Sequence, residues 1–591
     1  MNKVAKSIFF GTPVSPGIAI GKLSRMLRPD LGMTQTFIAR ELVPDELERL
    51  YRAAAEARDE LALARESVSP DLFEHREIIS SHMLICQDRK LLEGAAAHVR
   101  AGMSAAWALE KTSEMLCATF GAMEDPYLRE RAQDIRMVVG RIQSRLQGDK
   151  HIAGEQESPA VLLAEEISPA DAIELRLERI LAMLTVAGGQ TTHTAIFARS
   201  LHIPAVVGVA GLFENARDDA LVIVDALKGC IYLEPDEEEL AAFTQRQDEY
   251  DQWKKQVRHS APLPAETLDG MRFEVQANIE GFKECARVHE NGAEGVGLCR
   301  TEFAYLRRRD LPDEKSLYEE YSRIVKDIAP ARVVFRTLDL GADKMLEQQK
   351  NLKESNPNLG LRAIRFCLRH QNIFRTQLRA ILRAAVHGNV ALMLPMISGV
   401  QELKMGRHII EEVAAELHAE ALDCVSALPI GAMIEVPSSV LVADALAKEA
   451  DFFSIGTNDL VHYLLAIDRN NTHVAYLHEP MHSAVLRALK HVIDCAHREG
   501  INVAVCGELA ADPFYIPVLL GMGVDSFSAT PQFVPGIKHL IRKMRGDECV
   551  ELARAVLMTT DVAAANRMVT ETLFGQLREE VDFHSSMIHT A

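Results

Sequence analysis

A histidine in a turn rich in glycine and threonine is the residue of this chain best suited to carry a transferable group. His193 stands within Gly188–Arg199 (GGQTTHTAIFAR), and a helical pattern follows directly. Small neighbours leave an imidazole accessible, and the N–H groups and positive end of a helix favour a bound anion such as a phosphoryl group. Because the chain has 21 histidines, a solvated surface histidine is the ordinary alternative. The segment indicates a candidate phosphohistidine that the rest of the chain must support.

A second group of polar residues follows short apolar runs in the C-terminal half. Arginine binds phosphate and carboxylate through its planar fork, and a pair of carboxylates that also meets substrate oxygens suits Mg²⁺. A single arginine here would ordinarily be solvated or salt-bridged, but several arginines, two carboxylates and a thiol together indicate a site for a small molecule with both phosphate and carboxylate. The polar residues at these places include Arg300, Arg336, Arg362, Glu435, Asn458, Asp459, Arg469 and Cys506, together with others such as Glu302, Asp339 and Glu508.

The apolar runs predict the elements that position these residues. Eight short runs separated by helical stretches predict a (β/α)8 barrel, in which functional residues gather where strands end. The predicted strands are Phe273–Ile279, Gly295–Cys299, Val333–Arg336, Val390–Leu394, Ile430–Glu435, Phe452–Ile455, Val503–Cys506 and Ser526–Ala529.

The N-terminal half predicts an α/β domain with an all-helical block inserted into it. An extended, turn-rich stretch over residues 8–24 precedes a helical pattern over 41–146, and short β runs alternating with helices follow. Residues 236–262 predict either a helical linker or one more surface helix. The predicted divisions are an α/β domain over 1–24 and 147–235, the helical block over 25–146, the linker over 236–262, the barrel over 263–575 and a C-terminal tail over 576–591.

Composition excludes several classes of function. The chain has 591 residues, of which 48% are hydrophobic and 25% charged, as in ordinary globular proteins. A net charge of -19 argues against general nucleic-acid binding, and ten cysteines without CxxC spacing argue against a disulfide framework or a zinc site. Without an apolar run of 18 residues or a signal sequence, we expect a cytoplasmic protein with no membrane insertion.

The motifs together resemble a known family over nearly the whole length. They are SPGIAIGK near the N-terminus, Asp125–Arg131 (DPYLRER), the His193 segment, NGAEGVGLCRTEF, SIGTNDL and CGELA. This set resembles enzyme I of the bacterial sugar phosphotransferase system, among the enzymes that use phosphoenolpyruvate (PEP). Dikinases and synthases share the His segment and the barrel but carry a large ATP-binding domain, for which this chain has no room.

The resemblance implies a role for each candidate residue. His193 would accept the phosphoryl group in a swivelling α/β domain, and Cys506 would protonate the enolate carbon to give pyruvate. Glu435 and Asp459 would hold Mg²⁺. PEP would be bound by Arg300, Arg336, Arg362, Asn458, Asp459 and Arg469. The helical block would dock HPr, a small histidine phosphocarrier protein, and the barrel would form a homodimer.

Two alternatives to this transferase remain open. One is a PEP-dependent enzyme whose acceptor is not a protein, although a small acceptor would need no docking domain. The other is a regulatory sensor of PEP without turnover, against which the presence of His193, Cys506, Glu435 and Asp459 together weighs. The chain differs from the usual family pattern at Cys299, Ala342, Leu361 and Asn470, none of which removes a charge or a metal ligand.

Overall fold

Two β-sheets organise the chain, and each belongs to a separate unit, one within residues 1–250 and one within 251–588. The computed structural model describes residues 7–26, 36–67, 73–121, 126–147, 158–165, 167, 179–189, 193–201, 203–306, 310–341, 356–468, 471, 473–574 and 577–589. Within these residues, no helix is long and apolar enough to cross a membrane.

The first unit contains a sheet with the strand order β1-β8-β7-β3-β4-β5-β6-β2. Strands β3, β4, β5 and β6 run parallel to one another, and the remaining pairs are antiparallel. The strands are β1 (Ser7–Phe10), β2 (Thr12–Ser15), β3 (Ile18–Met26), β4 (Ala160–Ala164), β5 (Ile180–Thr185), β6 (Ala205–Val207), β7 (Leu221–Asp225) and β8 (Cys230–Leu233).

The described residues between β3 and β4 form five α-helices, although these two strands are neighbours in the sheet. The helices bury their own apolar cluster, which includes Leu50, Ile79, Leu109 and Ile142. A block that closes its own core can be inserted between neighbouring strands without disturbing them, and this confirms the predicted insertion. The helices of the first unit are Val43–Ser67, Phe73–Cys86, Arg89–Arg100, Ala105–Gly121, Pro126–Gln147, His193–Ser200 and Leu212–Asn215.

The second unit is built on a closed barrel of eight parallel strands, as predicted. Strands β10 to β17 pair with one another in sequence order, and β17 also pairs with β10, which closes the ring. Their interior faces pack Leu298, Met393, Met433 and Cys506 together. The strands are β9 (Ala265–Glu266), β10 (Arg272–Ile279), β11 (Gly295–Arg300), β12 (Arg332–Arg336), β13 (Val390–Leu394), β14 (Ile430–Ile434), β15 (Phe452–Gly456), β16 (Asn502–Cys506) and β17 (Ser526–Ala529).

Continuous apolar runs explain why the barrel strands could be located within a residue or two. Every residue of Val390–Leu394 is buried, because a parallel barrel strand is covered on both faces. The helices around the barrel are Cys285–Glu290, Phe303–Leu306, Glu314–Ile328, Ala363–Arg369, Gln371–Ala384, Val400–Ala419, Pro437–Leu441, Ala443–Ala447, Thr457–Leu464, Ser483–Arg498, Ile516–Met522, Val534–Ile541, Gly546–Met558, Val562–Phe574 and Arg578–His589.

The predicted linker and tail are both packed helices. Residues 236–262 contain the continuous helix Glu237–Ser260, in which Trp253 is buried. Residues 576–591 contain the helix Arg578–His589, whose Phe583 ring lies 5.7 Å from that of Trp253. Because apolar side chains pack this last helix against a neighbouring helix, residues 578–589 form a structured element rather than a tail.

The buried His584 makes the second unit sensitive to acid. Its Nε2 lies 2.9 Å from the carbonyl oxygen of Ala511, so a neutral ring donates that hydrogen bond. Burial, together with the nearby His539, lowers the pKa of His584 from 6.5 to about 4. Between these values the unfolded chain binds a proton that the folded unit excludes, so stability is complete above pH 6.5 and is lost as the pH falls.

We expect the free energy of unfolding to fall by about 1.4 kcal/mol per pH unit between pH 6.5 and about 4 because of this one group. Denaturant unfolding at several pH values measures it. The variant His584→Gln keeps an N–H donor but does not titrate, so it should show a shallower slope. Equal slopes for the two proteins would contradict the assignment.

Candidate active site

Two arginines end neighbouring strands at the carboxyl rim of the barrel. Arg300 and Arg336 are register partners at the ends of β11 and β12. Arg336 is buried, and its guanidinium contacts Glu302 and, at 2.9 Å from Nη1 to Oδ2, Asp339. Arg300 is more exposed, at 39% of its side chain, and lies 3.8 Å from Glu280. The rim therefore holds one arginine, Arg336, that is paired with two carboxylates and another, Arg300, that is accessible to solvent.

Asp339 connects these residues to the loop after β12. Arg362 donates to both oxygens of Asp339, at 3.0 and 3.2 Å. The same guanidinium lies 3.6 Å from Asp459 and 3.4 Å from the Tyr463 hydroxyl. Alternating charges thus form a chain from Glu302 to Asp459, which spans the rim from β11 to the helix after β15.

These ion pairs keep the buried side chains of Arg336 and Asp339 charged. Burial alone would lower the pKa of Arg336, but Glu302 and Asp339 outweigh it and hold that pKa above its usual value. Burial alone would raise the pKa of Asp339, but Arg336 and Arg362 hold it below its usual value. Two fixed guanidinium groups at a rim suit a small substrate that carries phosphate and carboxylate.

Glu435 lies in a position that disfavours the charged form of its carboxylate. It follows the last residue of β14, is almost fully buried, and accepts the Met396 N–H at 2.6 Å. Burial, followed by the negative charges of Asp339 and Asp459, raises the pKa of Glu435 to about 8. A neighbouring cation would stabilise the charged form of Glu435.

Glu435 and Asp459 are the carboxylates of the rim that could hold a magnesium ion. A Cβ at Gly456 would lie 2.6 Å from Oε2 of Glu435, so the absence of a side chain there leaves that oxygen open. Among the residues with described positions, no three His, Cys, Asp or Glu side chains are arranged to hold a metal. Mg²⁺ is commonly held by one or two carboxylates and completed by water and substrate phosphate, which matches this pair.

Asn458 is fixed by a reciprocal pair of hydrogen bonds with the residue after Gly507. Its Nδ2 donates to Glu508 Oε1 at 3.0 Å, and the Glu508 N–H donates to its Oδ1 at 3.1 Å. Gly507 has a φ of 120°, and a Cβ there would lie 2.5 Å from Thr457 Oγ1. Glycine is therefore required for this close approach, which holds the amide at the rim beside Asp459.

Cys506 ends β16 inside the barrel, where a thiol could deliver a proton. Its Sγ accepts the Ser454 hydroxyl at 3.2 Å and lies 3.5 Å from the Ile455 carbonyl. The side chain is 2% exposed, and burial raises the pKa of the thiol. A thiol held protonated here is suited to act as an acid, and Ser454 would then stabilise the thiolate.

The structure brings together most of the residues predicted from the sequence. Arg336, Arg362 and Asp459 share one ion-pair chain, and Arg300, Glu435, Asn458 and Cys506 lie at the ends of strands of the same barrel. Arg469 and the side chain of His193 lie outside the described residues. The backbone of His193 begins the helix His193–Ser200, which confirms the predicted helix.

The start of that helix is anchored by the next residue. The buried Thr194 hydroxyl donates to the Ile167 carbonyl at 3.0 Å and accepts the N–H of the same residue at 3.3 Å. Both contacts fix the helix end from which a phosphohistidine would be presented.

Sequence reasoning assigned no role to Glu302, Asp339, Gln377 and Ser454. The first two follow β11 and β12 directly, so their place at the strand ends was a signal. Gln377 lies inside a helix and Ser454 within β15, and only long-range contacts connect each of them to residues of the rim.

The chain is similar to proteins of known families along most of its length. Three family models match: PEP-utilising enzyme, N-terminal, over residues 10–131; PEP-utilising enzyme, mobile domain, over 156–229; and PEP-utilising enzyme, PEP-binding domain, over 254–545. A phosphoenolpyruvate-protein phosphotransferase of Geobacillus stearothermophilus is 38% identical over 566 residues, which cover 94% of this chain and 96% of the relative.

That of Bacillus subtilis (strain 168) is 37% identical over 565 residues, which cover 95% of this chain and 99% of the relative. A solution structure of enzyme I (nEIt) is 31% identical and covers 41% of this chain and 99% of its own, with a TM-score of 0.35. With relatives this similar along nearly its whole length, the chain belongs to the phosphoenolpyruvate-protein phosphotransferase family of PEP-utilising enzymes.

Proposed function

We propose that this enzyme transfers the phosphoryl group of PEP to its own His193 and then to a histidine of HPr, with release of pyruvate. The observation that carries the proposal is the barrel rim, where the buried Arg336, the half-buried Arg362, two carboxylates and a buried thiol follow strands β12 to β16. Family membership along nearly the whole chain supports the same reaction.

In the first step, the bond between the phosphorus and the enol oxygen of PEP breaks while a bond from a His193 nitrogen to phosphorus forms. Phosphoryl transfer depends mainly on positioning and charge neutralisation. Arg336 and Arg362 are already held rigidly by Asp339, so they can neutralise the phosphate and carboxylate without reorganising.

The second chemical event is protonation of the enolate. The electron pair left on the enol oxygen makes the terminal carbon basic, and Cys506 would donate its thiol proton to that carbon to form pyruvate and a thiolate. The Ser454 hydroxyl, 3.2 Å from Sγ, would donate a hydrogen bond to that thiolate. Solvent then returns a proton to the thiolate for the next turnover.

We propose that Glu435 and Asp459 hold Mg²⁺ together with substrate oxygens. When bound, this ion would supply positive charge beside the phosphoryl and enolate oxygens. The open Oε2 of Glu435, beside Gly456, supports this assignment, as does the pKa of Glu435, raised to about 8 by burial and by neighbouring carboxylates.

The acceptor, the pathway and the assembly follow from the same proposal. The helical block would dock HPr, which membership of the phosphotransferase family supports. The reaction would be the first step of sugar uptake in the cytoplasm. We also expect the protein to form a homodimer through its barrel.

A labelling experiment tests the function. The protein is incubated with Mg²⁺ and with PEP labelled in its phosphate, and HPr is added to half of the samples. We expect acid-labile label on the protein that passes to HPr, because phosphohistidine is hydrolysed in acid. His193→Ala should abolish labelling of both proteins.

The matched control is His408→Ala, which removes an exposed histidine paired with Glu412 on a barrel helix and should leave labelling unchanged. Label that stays on His193 despite HPr would contradict the proposed acceptor. No label on the wild-type protein would contradict the transferase function and favour a sensor of PEP.

A further inference from the structure

One fully buried amide lies directly behind the candidate site. Gln377, in the helix Gln371–Ala384, is 0% exposed. Its Oε1 accepts the Leu338 N–H at 3.0 Å, and its Nε2 donates to Thr301 Oγ1 at 2.8 Å and faces the Tyr321 hydroxyl at 3.5 Å. Without water to replace them, these bonds are costly to leave unmade.

The partners of this amide are the backbone and side chain next to the charged rim residues. Thr301 follows Arg300 directly, and its hydroxyl donates to the Arg336 carbonyl at 2.8 Å. Leu338, whose N–H the amide oxygen accepts, precedes Asp339. A single side chain from a helix thus ties together the chain after β11 and the chain after β12.

This connection counteracts a specific electrostatic problem. Arg300 and Arg336 are register partners in adjacent parallel strands, so two like charges lie side by side at the strand ends. Strands in a sheet are only about 4.8 Å apart, and like charges directly opposite destabilise a pair. The carboxylates around Arg336 reduce this repulsion, and the hydrogen bonds of Gln377 hold the backbone of the two strand ends on the core side.

We propose that Gln377 is a positioning residue for PEP, which fixes the ends of β11 and β12 so that Arg300, Arg336 and Asp339 keep the geometry that receives the phosphate and carboxylate. This proposal rests on the proposed function only in that it names PEP as the ligand. Gln377 itself touches no substrate, since its amide is consumed by Leu338, Thr301 and Tyr321.

The test measures PEP binding and turnover separately. Gln377→Met keeps the side-chain length but removes the amide, and we expect a KM for PEP raised about 10- to 100-fold with a smaller change in kcat, since displacement of a positioned group by about 1 Å is this costly. In a His193→Ala background, which cannot turn over, the Kd for PEP by calorimetry should rise by a similar factor.

The control is Lys538→Met, at the opposite end of the barrel. Lys538 is equally buried, and its Nζ donates to the carbonyls of Ala261 and Gly292, at 3.2 and 2.5 Å. It should lose thermal stability as Gln377→Met does, yet keep the KM for PEP. If Gln377→Met loses stability but keeps the wild-type Kd and KM, its role is structural only and the proposal fails.

Gln377→Glu covers the case in which the methionine variant does not fold. A buried carboxylic acid keeps a donor and an acceptor while protonated, and burial raises its pKa. We expect near wild-type PEP affinity at low pH and a loss of affinity as the pH rises, with no such trend in the wild type. A flat profile equal to that of the wild type would overturn the proposal.

The two proposals fail in different ways. Wild-type protein that binds PEP but does not label His193 would remove the transferase function, while the Kd comparison would still decide the role of Gln377. If the transferase function holds, the transfer of a phosphoryl group from phospho-HPr back to His193 should be unchanged in Gln377→Met. A loss of this reverse transfer would contradict a role of Gln377 that is confined to PEP.

Discussion

Replacement of Arg336 by methionine is expected to lower the rate of phosphorylation by PEP about 10²- to 10³-fold, the usual effect of removing one fixed donor from a developing charge. It should also lower the free energy of unfolding by about 3–5 kcal/mol, because a buried ion pair that loses one partner leaves an uncompensated charge. Arg336 lies between Glu302 and Asp339, both of them buried, so its loss affects two carboxylates at once.

Labelling kinetics with PEP and denaturant unfolding measure the two effects. Arg375→Met is the matched control, because Arg375 also pairs with two carboxylates, Glu412 and Glu416, but these partners lie on the helix Val400–Ala419 and are not buried. Such surface pairs contribute about 0–1 kcal/mol, so this control should be nearly neutral. If Arg336→Met turned over PEP at the wild-type rate, Arg336 would not be part of the active site.

The second large effect is expected for Gly456→Ala. The new Cβ would lie 2.6 Å from Glu435 Oε2 and 3.1 Å from its Cβ, closer than real contacts allow. The carboxylate cannot easily retreat, since it is buried and its other oxygen accepts the Met396 N–H at 2.6 Å. The φ of Gly456 is -80°, so the alanine would cause no backbone strain and the effect would be steric.

We expect this variant to bind Mg²⁺ about 10- to 100-fold more weakly, as when a group that orients a metal ligand is lost. Calorimetry with Mg²⁺ and the Mg²⁺ dependence of PEP turnover measure it. Gly399→Ala is the control, because a Cβ there meets nothing within 4 Å and the backbone is extended. Equal Mg²⁺ affinity of the two variants would contradict the assignment of Glu435 as a ligand.

The sequence alone determined the barrel and the positions of its strands. Segments such as Val390–Leu394 and Val503–Cys506 are apolar at almost every position, which only strands covered on both faces tolerate. Because parallel strands all end at one rim, the residues that follow them had to meet there. This reasoning located Arg336, Glu435 and Cys506 without knowledge of any contact.

The contacts among these residues were decided only by the tertiary structure. Arg336 pairs with Glu302 and Asp339, and Gln377 reaches both Thr301 and Leu338, because the barrel register and the packing of one helix bring them together. A strand that is apolar on both faces specifies its register only weakly, because a shift by one residue turns no polar face toward the core. The sequence thus determined which groups gather at the rim, while long-range packing decided which charges they neutralise and which of them are left to meet the substrate.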